Sequence, residues 1–330
     1  MKKSVLSLLI ALMAIVVANA QQISVVSEGG KTDLYRTFQE AIENAPEGSV
    51  IYLPGGGFPI ADAVKITKKL TIVGIGNKID TENPDGYTTV SGNLFFDQGS
   101  DFSALMGVYV SGNVYIGNDG NEVDDVLIRH CNINYLYVKK QQCKGITINQ
   151  NYIRSGAEFA GSNATFSNNI TPWVCDLDDG YILNNIITGY HVRSGYSSAT
   201  MNYCDRTTIS NNIILSSSYS ILYGDQCSAR HNMHKGGWNM DEDLIDIGEA
   251  DWNNVFENYN NGAISPATDF HFKKDSEYTQ YEGQVGIYSG DTPFEDNQLA
   301  PVPYIIFKDV PQKTNTEGQL RIRIRVKAGD

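Results

Sequence analysis

The chain has 330 residues and carries 38 acidic against 25 basic side chains. This formal charge of −13 argues against a nucleic-acid partner, because an acidic surface repels phosphate backbones. The length allows a substantial hydrophobic core, either in one elongated solenoid or in one to two globular domains.

The N-terminal segment, from Met1 to Ala20, has the pattern of a secretory signal peptide. Lys2 and Lys3 precede an apolar run from Val5 to Val17, and the ending Ala18-Asn19-Ala20 fits a cleavage site. We therefore expect a protein secreted to the periplasm, the cell surface or the medium. No later apolar run approaches the length of a membrane helix, so we expect no membrane span.

The stretch "DLYRTFQEAIENAPEG" predicts an amphipathic helix that begins at Thr32 or Asp33 and ends before Pro46. Such a helix would cover the open end of a solenoid core. We therefore assign residues of about 21–50 to an N-terminal cap. The apolar stripe of this helix consists of Leu34, Phe38, Ala41, Ile42 and Ala45.

The middle of the chain repeats one phrase, seen as "TINQNYI", "TFSNNIT", "YILNNII" and "TISNNII". Cys131 takes the aligned position one turn earlier, and Asn258 takes it one turn later. An apolar or small residue stands three residues before each aligned position. The seven aligned positions therefore predict seven similar coils. The aligned asparagines, with the longest interval between the third and the fourth, are Asn151, Asn169, Asn185, Asn212 and Asn232.

A short repeat of this kind, with β-branched runs and no helical period, indicates a solenoid of stacked parallel strands. Asparagine tolerates the left-handed backbone of a sharp corner. Its amide can also bond to the same residue in the coils above and below. We therefore expect each asparagine pair to form a corner of a coil.

Several stretches together resemble the right-handed parallel β-helix proteins of the pectin-lyase-like superfamily. They are the cap, a first coil in "ITKKLTIVGIGN", the asparagine ladder and a closing stretch, "DFHFKKDSEYTQYEGQVGIYSGDTPF". The resemblance implies an all-β fold, a single-stranded right-handed parallel β-helix over residues 21–299. It also implies a polysaccharide as ligand.

A small C-terminal β appendage is expected over residues 300–330. Prolines at positions 301, 303 and 311 precede the alternating run "LRIRIRVK", which is typical of a strand. Its basic side chains either form a solvated edge that discourages aggregation or contact an anionic glycan.

The stretch "CDLDDGY" contains the strongest candidate for chemistry. It precedes the longest interval, whose insertion "GYHVRSGYSSATMNYCDR" predicts a surface loop beside the acidic triplet. The alternatives are catalysis, binding of calcium or sugar, and solvated turn residues. The candidate catalytic residues are Asp176, Asp178, Asp179, His191 and Arg193.

The resemblance offers two catalytic patterns for comparison. Calcium-dependent lyases of the superfamily use clustered acidic calcium ligands with an arginine or lysine base, and its hydrolases use three aspartates with histidine and an Arg-x-Lys motif. This chain has no Arg-x-Lys after the loop and no Gly-His-Gly. Asp176 and Asp178 would permit an inverting-type carboxylate pair if they shared a strand face.

Aromatic residues near this loop are candidates for sugar binding, because flat rings stack on pyranose faces. The alternative is that they belong to the core. The candidate substrate-binding residues are Trp173, Tyr190, Tyr196 and Tyr203.

A column of mostly aspartates precedes each corner position by seven residues. It is either a cation-binding edge, with Ca²⁺ as the candidate ion, or a row of turn caps that bind nearby amides. The column consists of Asp124, Lys144, Ser162, Asp178, Asp205, Asp225 and Asp251.

The five cysteines have no CxxC spacing and no nearby histidine pair, so they do not fit a zinc site. We expect buried, unpaired thiols. The alternative is a disulfide between Cys204 and either Cys175 or Cys227, because these residues belong to neighbouring coils.

Three functions remain open at this point. The leading one is a secreted or cell-surface protein, expected to be a monomer, that binds a polysaccharide. The second is a polysaccharide lyase or glycoside hydrolase that uses aspartates on the coil face. The third is a structural surface protein.

Overall fold

The computed structural model describes residues 22–60, 63–77, 86–139, 141–191, 199–216, 220–236, 238, 240–248, 250–259, 264–299, 304–309, 317–320 and 322–327. The expected signal peptide lies outside the described residues. Most of the described chain forms three long sheets of parallel strands, here called sheets A, B and C.

An antiparallel hairpin and one helix open the fold. Strand β1 (Ile23–Val26) pairs with β2 (Thr32–Tyr35), and helix α1 (Phe38–Asn44) follows. Thr37 caps the helix, since its hydroxyl accepts a hydrogen bond of 3.2 Å from the N–H of Glu40. The buried residues of α1 belong to the main hydrophobic core, as the cap prediction requires.

The predicted start of this helix at Thr32 or Asp33 is wrong. Both residues lie in β2, because their backbone pairs with β1. Leu34, expected on the buried stripe, is 56 % exposed. Strand pairing here overrides the helical spacing of the apolar residues.

Eight complete coils follow in the described part of the chain, and each contributes one strand to sheet A, then to sheet B, then to sheet C. The first four coils are β3 (Val50–Tyr52), β4 (Gly56–Pro59), β5 (Val64–Ile66); β6 (Thr71–Val73), β7 (Thr88–Ser91), β8 (Leu94–Phe96); β9 (Ala104–Met106), β10 (Tyr109–Val110), β11 (Val114–Ile116); β12 (Leu127–Arg129), β13 (Asn132–Ile133), β14 (Leu136–Val138).

The next four coils are β15 (Ile146–Asn149), β16 (Tyr152–Ile153), β17 (Ala157–Ser162); β18 (Ala164–Ser167), β19 (Ile170–Thr171), β20 (Val174–Leu177); β21 (Tyr181–Leu183), β22 (Ile186–Ile187), β23 (Ala199–Asn202); β24 (Thr208–Ser210), β25 (Ile213–Ile214), β26 (Ser220–Tyr223). Strand β27 (Ser228–Arg230) then ends sheet A, while β28 (Met233–His234) and β29 (Ile245–Asp246) end sheet B.

Equivalent residues of successive coils lie side by side. In sheet A, Ile128 pairs with Ile148, which pairs with Phe166, and all three are fully buried. Alternate side chains therefore face either the core or the outer surface. The fold is an all-β solenoid of parallel strands, consistent with a β-helix.

The predicted asparagine corner is confirmed between sheets A and B. Asn184 adopts a left-handed backbone with φ +57°, and Asn185 after it is fully buried. Oδ1 of Asn185 accepts a hydrogen bond of 2.8 Å from the N–H of Asn169, and its Nδ2 donates a hydrogen bond of 2.9 Å to Oδ1 of Asn212. The same pattern joins all five aligned asparagines, so the coils that carry them are hydrogen-bonded to one another through this corner.

The two ends of this ladder differ in how well they were predicted. Cys131 occupies the first position, and its N–H donates 2.9 Å to Oδ1 of Asn151. The last position belongs to Asp241, whose Oδ2 accepts 2.9 Å from the N–H of Asn232. The assignment of Asn258 to this position is wrong, since Asn258 is exposed in an antiparallel hairpin.

The segment after the coils folds back over the outside of sheet B. It contains helix α2 (Trp252–Val255) and the hairpin of β30 (Phe256–Asn258) with β31 (Asp269–Phe272). A second hydrophobic cluster joins this segment to outward-facing isoleucines of sheet B, Ile170, Ile186 and Ile213.

Residues 286–299, here called the strap, then run along the corner between sheets A and B. The N–H of Gly286 donates 2.7 Å to the carbonyl of Asn211 near one end of the coils. Near the other end, Nδ2 of Asn77 donates 3.2 Å to Oε1 of Gln298. The strap therefore bridges most of the solenoid.

The C-terminal residues contain the expected strand, β33 (Arg323–Lys327), which pairs antiparallel with β32 (Tyr304–Asp309). Ile322, Ile324 and Val326 are more than half exposed. No helix in the described residues is long and apolar enough to cross a membrane.

All five cysteines are free thiols, and four of them are buried. The disulfide alternative for Cys204 is therefore wrong in this structure. Burial raises the pKa of the Cys131 thiol to about 12, so this side chain stays protonated and behaves as a small core residue.

His130 at the corner makes the stability of the fold depend on pH. Its ring is fully buried against the Gln150 side chain, with Glu295 of the strap 3.7 Å away. Burial, with a smaller effect of the Arg129 charge, lowers the His130 pKa from 6.5 to about 4.

Because the unfolded histidine binds a proton below pH 6.5 and the folded one does not, stability is fully present above pH 6.5. It should fall by about 3 kcal/mol as the pH drops to 4. We expect His130→Asn, which suits a left-handed corner, to flatten this dependence. Denaturant midpoints at neutral and acidic pH measure this dependence. If the stability of the wild type and of the variant fell equally between the two pH values, the assignment to His130 would be contradicted.

Candidate functional site

The outer face of sheet C carries the most continuous set of functional side chains. In-register pairing places one outward-facing residue of each coil in a straight column. From the first described coil to the seventh, the column consists of Lys65, Phe95, Tyr115, Tyr137, Glu158, Cys175 and Asn202. Its last two members, Cys175 and Asn202, are fully buried, so only the first five residues reach the surface.

Three aromatic rings of this column stack on one another. The centroids of Phe95 and Tyr115 are 4.5 Å apart, and those of Tyr115 and Tyr137 are 5.1 Å apart, with interplanar angles of 8° and 6°. Tyr135 adds a fourth ring, 3.8 Å from Tyr137. All four are half-buried. Since the ring faces contact each other, the stack presents a ridge of ring edges to solvent.

Two charged groups lie next to the Tyr137 end of the ridge. Nζ of Lys139 lies 3.9 Å from the Tyr137 centroid, a cation–π contact. Glu158 follows Tyr137 in the column, and its Oε2 is 3.4 Å from the Tyr135 hydroxyl. Burial, followed by the charges of neighbouring groups, raises the pKa of Tyr135, so this hydroxyl remains a hydrogen-bond donor.

Trp173 lies next to Tyr135 at the end of the ridge, and its indole is packed against other residues and not exposed to solvent. It is only 8 % exposed and meets Tyr135 edge to face at 5.3 Å. Gly156, at φ +118°, lies beneath it, and a Cβ there would be 2.3 Å from the indole. This burial agrees with the alternative that Trp173 belongs to the core, and its role in sugar binding stays a prediction.

The predicted loop begins beside Trp173. The His191 ring lies 4.2 Å from the Trp173 ring, and the backbones of His191 and Ala199 bridge each other. Tyr190 is 37 % exposed on this loop, and Tyr203 is half-buried after it. Arg193 and Tyr196 lie outside the described residues, so these two predictions stay untested.

The acidic triplet is divided between two places. Asp176 lies on sheet C, where its Oδ2 is 3.4 Å from the Cys175 thiol. Asp178 and Asp179 lie at the turn from sheet C to sheet A and share Arg206, at 3.4 and 2.8 Å. The expected grouping of all three aspartates with His191 remains a prediction, since the rest of the loop is outside the described residues.

Arg206 affects the two carboxylates differently. Its hydrogen bond lowers the pKa of the exposed Asp179. Burial, with the neighbouring Asp205 charge, raises the pKa of Asp178 despite Arg206. A raised pKa is the direction that a general acid needs, but an arginine partner favours the ionised form. The pair is thus better suited to holding the turn or a polar ligand.

The aspartate column forms a ladder between coils, because its carboxylates accept hydrogen bonds from backbone N–H groups of the next coil and not of their own turn. Asp124 accepts 2.7 Å from the N–H of Lys144, and Asp205 accepts 2.7 Å from the N–H of Asp225 in the next coil. Asp251 lies outside the column and caps α2 instead. Within the described ranges, no three His, Cys, Asp or Glu side chains are arranged to hold a metal ion. The cation-binding alternative therefore gains no support.

The ridge was not predicted from the sequence, although the sequence contains a signal for it. A second amide ladder runs along the corner between sheets B and C. Oδ1 of Asn93 accepts 2.8 Å from the N–H of Asn113, and Oδ1 of Asn113 accepts 2.8 Å from Nδ2 of Asn134. Each of these asparagines precedes Phe95, Tyr115 or Tyr137 by two or three residues. Aligning them would have placed the rings in one column.

No family model, no curated protein and no solved structure matches this chain. Its function is therefore inferred from the geometry of the site.

Proposed function

We propose that this protein binds an extracellular polysaccharide through the outer face of sheet C. In this proposal the protein is a secreted, monomeric, right-handed β-helix of the pectin-lyase-like superfamily. The three-sheet coils, the buried asparagine ladder and the helical cap support the fold assignment. The leader-like segment from Met1 to Ala20 supports secretion.

The ridge of Phe95, Tyr115 and Tyr137 is the observation that carries the proposal. It extends over three coils in a straight line, which suits a linear polymer better than a compact ligand. Ring edges and C–H groups contribute apolar contact, while tyrosine hydroxyls, Lys139 and Glu158 supply polar partners for sugar hydroxyls.

Cleavage of the polysaccharide is the second candidate. It is favoured by the raised pKa of Asp178 and by the position of Asp176 on the same sheet as the ridge, two coils beyond Tyr137. The ion pairs of Arg206 with Asp178 and Asp179 count against acid–base chemistry at that turn. A purely structural role, the third candidate, is supported by the tight packing of Trp173.

Binding to a panel of neutral and acidic polysaccharides, measured by affinity electrophoresis with and without calcium, tests the proposal. We expect Tyr137→Ala to weaken binding about tenfold, because it opens the stack and removes the contact with Lys139. Tyr52→Ala is the matched control, since Tyr52 is an exposed tyrosine on sheet A and should leave binding unchanged.

Release of reducing ends or unsaturated products in the same panel separates the candidates. Release by the wild type that Asp178→Ala abolishes would establish an enzyme. Binding without release would leave a binding protein. If neither binding nor release occurs, or if Tyr137→Ala binds as well as the wild type, the ridge is not a polysaccharide site.

A further inference from the structure

A groove lies on the outer side of sheet A, on a different face of the protein from the aromatic ridge. Its volume is about 400 Å³, within the range of small-molecule sites. Outward-facing side chains of β12, β15, β18 and β21 form the floor, and Asp291 and Thr292 of the strap form one wall. The groove therefore exists only because the strap follows this corner.

The floor is a regular array of hydroxyl and amide groups. Thr147 pairs in register with Thr165, and Asn149 pairs with Ser167. Parallel pairing sets equivalent groups about 4.8 Å apart. Threonine hydroxyls can each donate and accept, so neighbouring strands offer a row of bifunctional partners.

Internal hydrogen bonds fix the shape of the groove. Nδ2 of Asn149 donates 3.0 Å to Oγ of Ser167 and 3.0 Å to Oγ1 of Thr292, joining the floor to the wall. Oγ of Ser289 in the strap donates 3.0 Å to Oδ1 of Asn184. A site held in this way loses little conformational entropy when a ligand binds.

The charges of the groove favour a neutral ligand. Nε of Arg129 donates 3.0 Å to Gln150, and its Nη2 is 3.9 Å from Glu295. Asp291 adds a carboxylate on the wall. Because the Arg129 cation already has a carboxylate near it, an anionic ligand would gain little. Leu127 and Leu183 contribute apolar surface beside the hydroxyls.

We propose that this groove is a second binding site, specific for a short neutral oligosaccharide. The threonine hydroxyls bind sugar hydroxyls, and the leucines contact the C–H face of a sugar ring. This site is separate from the ridge on sheet C, so an experiment that disproves one of the two binding sites leaves the other unaffected.

Saturation-transfer NMR and calorimetric titration with cellobiose, maltose and lactose test this site. We expect at least one disaccharide to bind at millimolar concentration. Thr165→Val should weaken that binding about fivefold, since one hydrogen bond contributes about 1 kcal/mol. Thr208→Val is the matched control, because Thr208 occupies the same column of sheet A two strands beyond Thr165.

Thr147→Val provides a second variant if Thr165→Val does not fold, as judged by circular dichroism. Tyr137→Ala should bind the disaccharide normally, which separates this site from the ridge. The proposal is overturned if none of the three disaccharides binds at millimolar concentration. It is equally overturned if Thr208→Val weakens binding as much as the groove variants do.

Discussion

Replacing Asn185 by alanine should destabilise the folded protein by about 4 kcal/mol, because buried hydrogen-bonding groups would lose their partners at about 1–3 kcal/mol each. The N–H of Asn169 would lose its acceptor, and the carbonyl of Phe166 would lose a donor at 2.9 Å. Both residues are buried, so water cannot replace the lost amide without opening the corner.

Guanidinium denaturation followed by circular dichroism measures this effect. Asn258→Ala is the matched control, because Asn258 is exposed in β30 and should change stability by less than about 0.5 kcal/mol. Stacked coils can unfold in stages, so the slope of the transition must be compared as well as its midpoint. If Asn185→Ala and Asn258→Ala lowered the free energy of unfolding by similar amounts, a special role of the ladder would be contradicted.

Replacing Phe256 by alanine should also cost about 4 kcal/mol, the usual loss for a fully buried phenylalanine. Phe256 is 0 % exposed and lies at the centre of the outer cluster, with Trp252, Phe270 and Phe272 at 5.5 to 5.6 Å. This cluster attaches the C-terminal segment to sheet B, so we expect the variant to loosen the strap.

Hydrogen exchange resolves where the loss occurs. The N–H of Gly286, bonded to the Asn211 carbonyl, should exchange faster in the variant, while amides of the early coils such as Leu105 should change little. Phe102→Ala is the control, since Phe102 is 63 % exposed. Unchanged protection at Gly286 would show that the strap holds to the corner without the cluster.

Only part of the candidate site was predicted from the sequence. It directed attention to Asp178 and Asp179, but their partner Arg206 lies in the next coil and meets Asp179 only through coil stacking. The aromatic ridge was missed because the coil that contains Tyr115 has Gly107 and Val108 at its corner instead of asparagines. An alignment on the asparagine pair, extended to Cys131, therefore reaches the coil of Tyr137 but not those of Tyr115 and Phe95.

Trp173 shows why burial cannot be read from residue type. An indole near a loop suits a sugar platform, yet this one lies over Gly156 and under His191. A neighbouring coil that has a glycine at the matching position leaves space that the large ring fills. Only the alignment between coils decides whether such a ring is open or packed.

Local patterns of the sequence suffice to predict the parallel coils, their inward apolar residues and the asparagine corner. These features recur within each repeat, so every coil encodes its own path through local spacing and left-handed corner residues. By contrast, the contacts between outward side chains and the path of the strap follow from how the coils stack. Unequal coil lengths make the sequence interval between outer residues that meet irregular, and the strap brings together residues as distant in sequence as Asn77 and Gln298. Such contacts depend on the stacking of the whole solenoid, which no local pattern specifies.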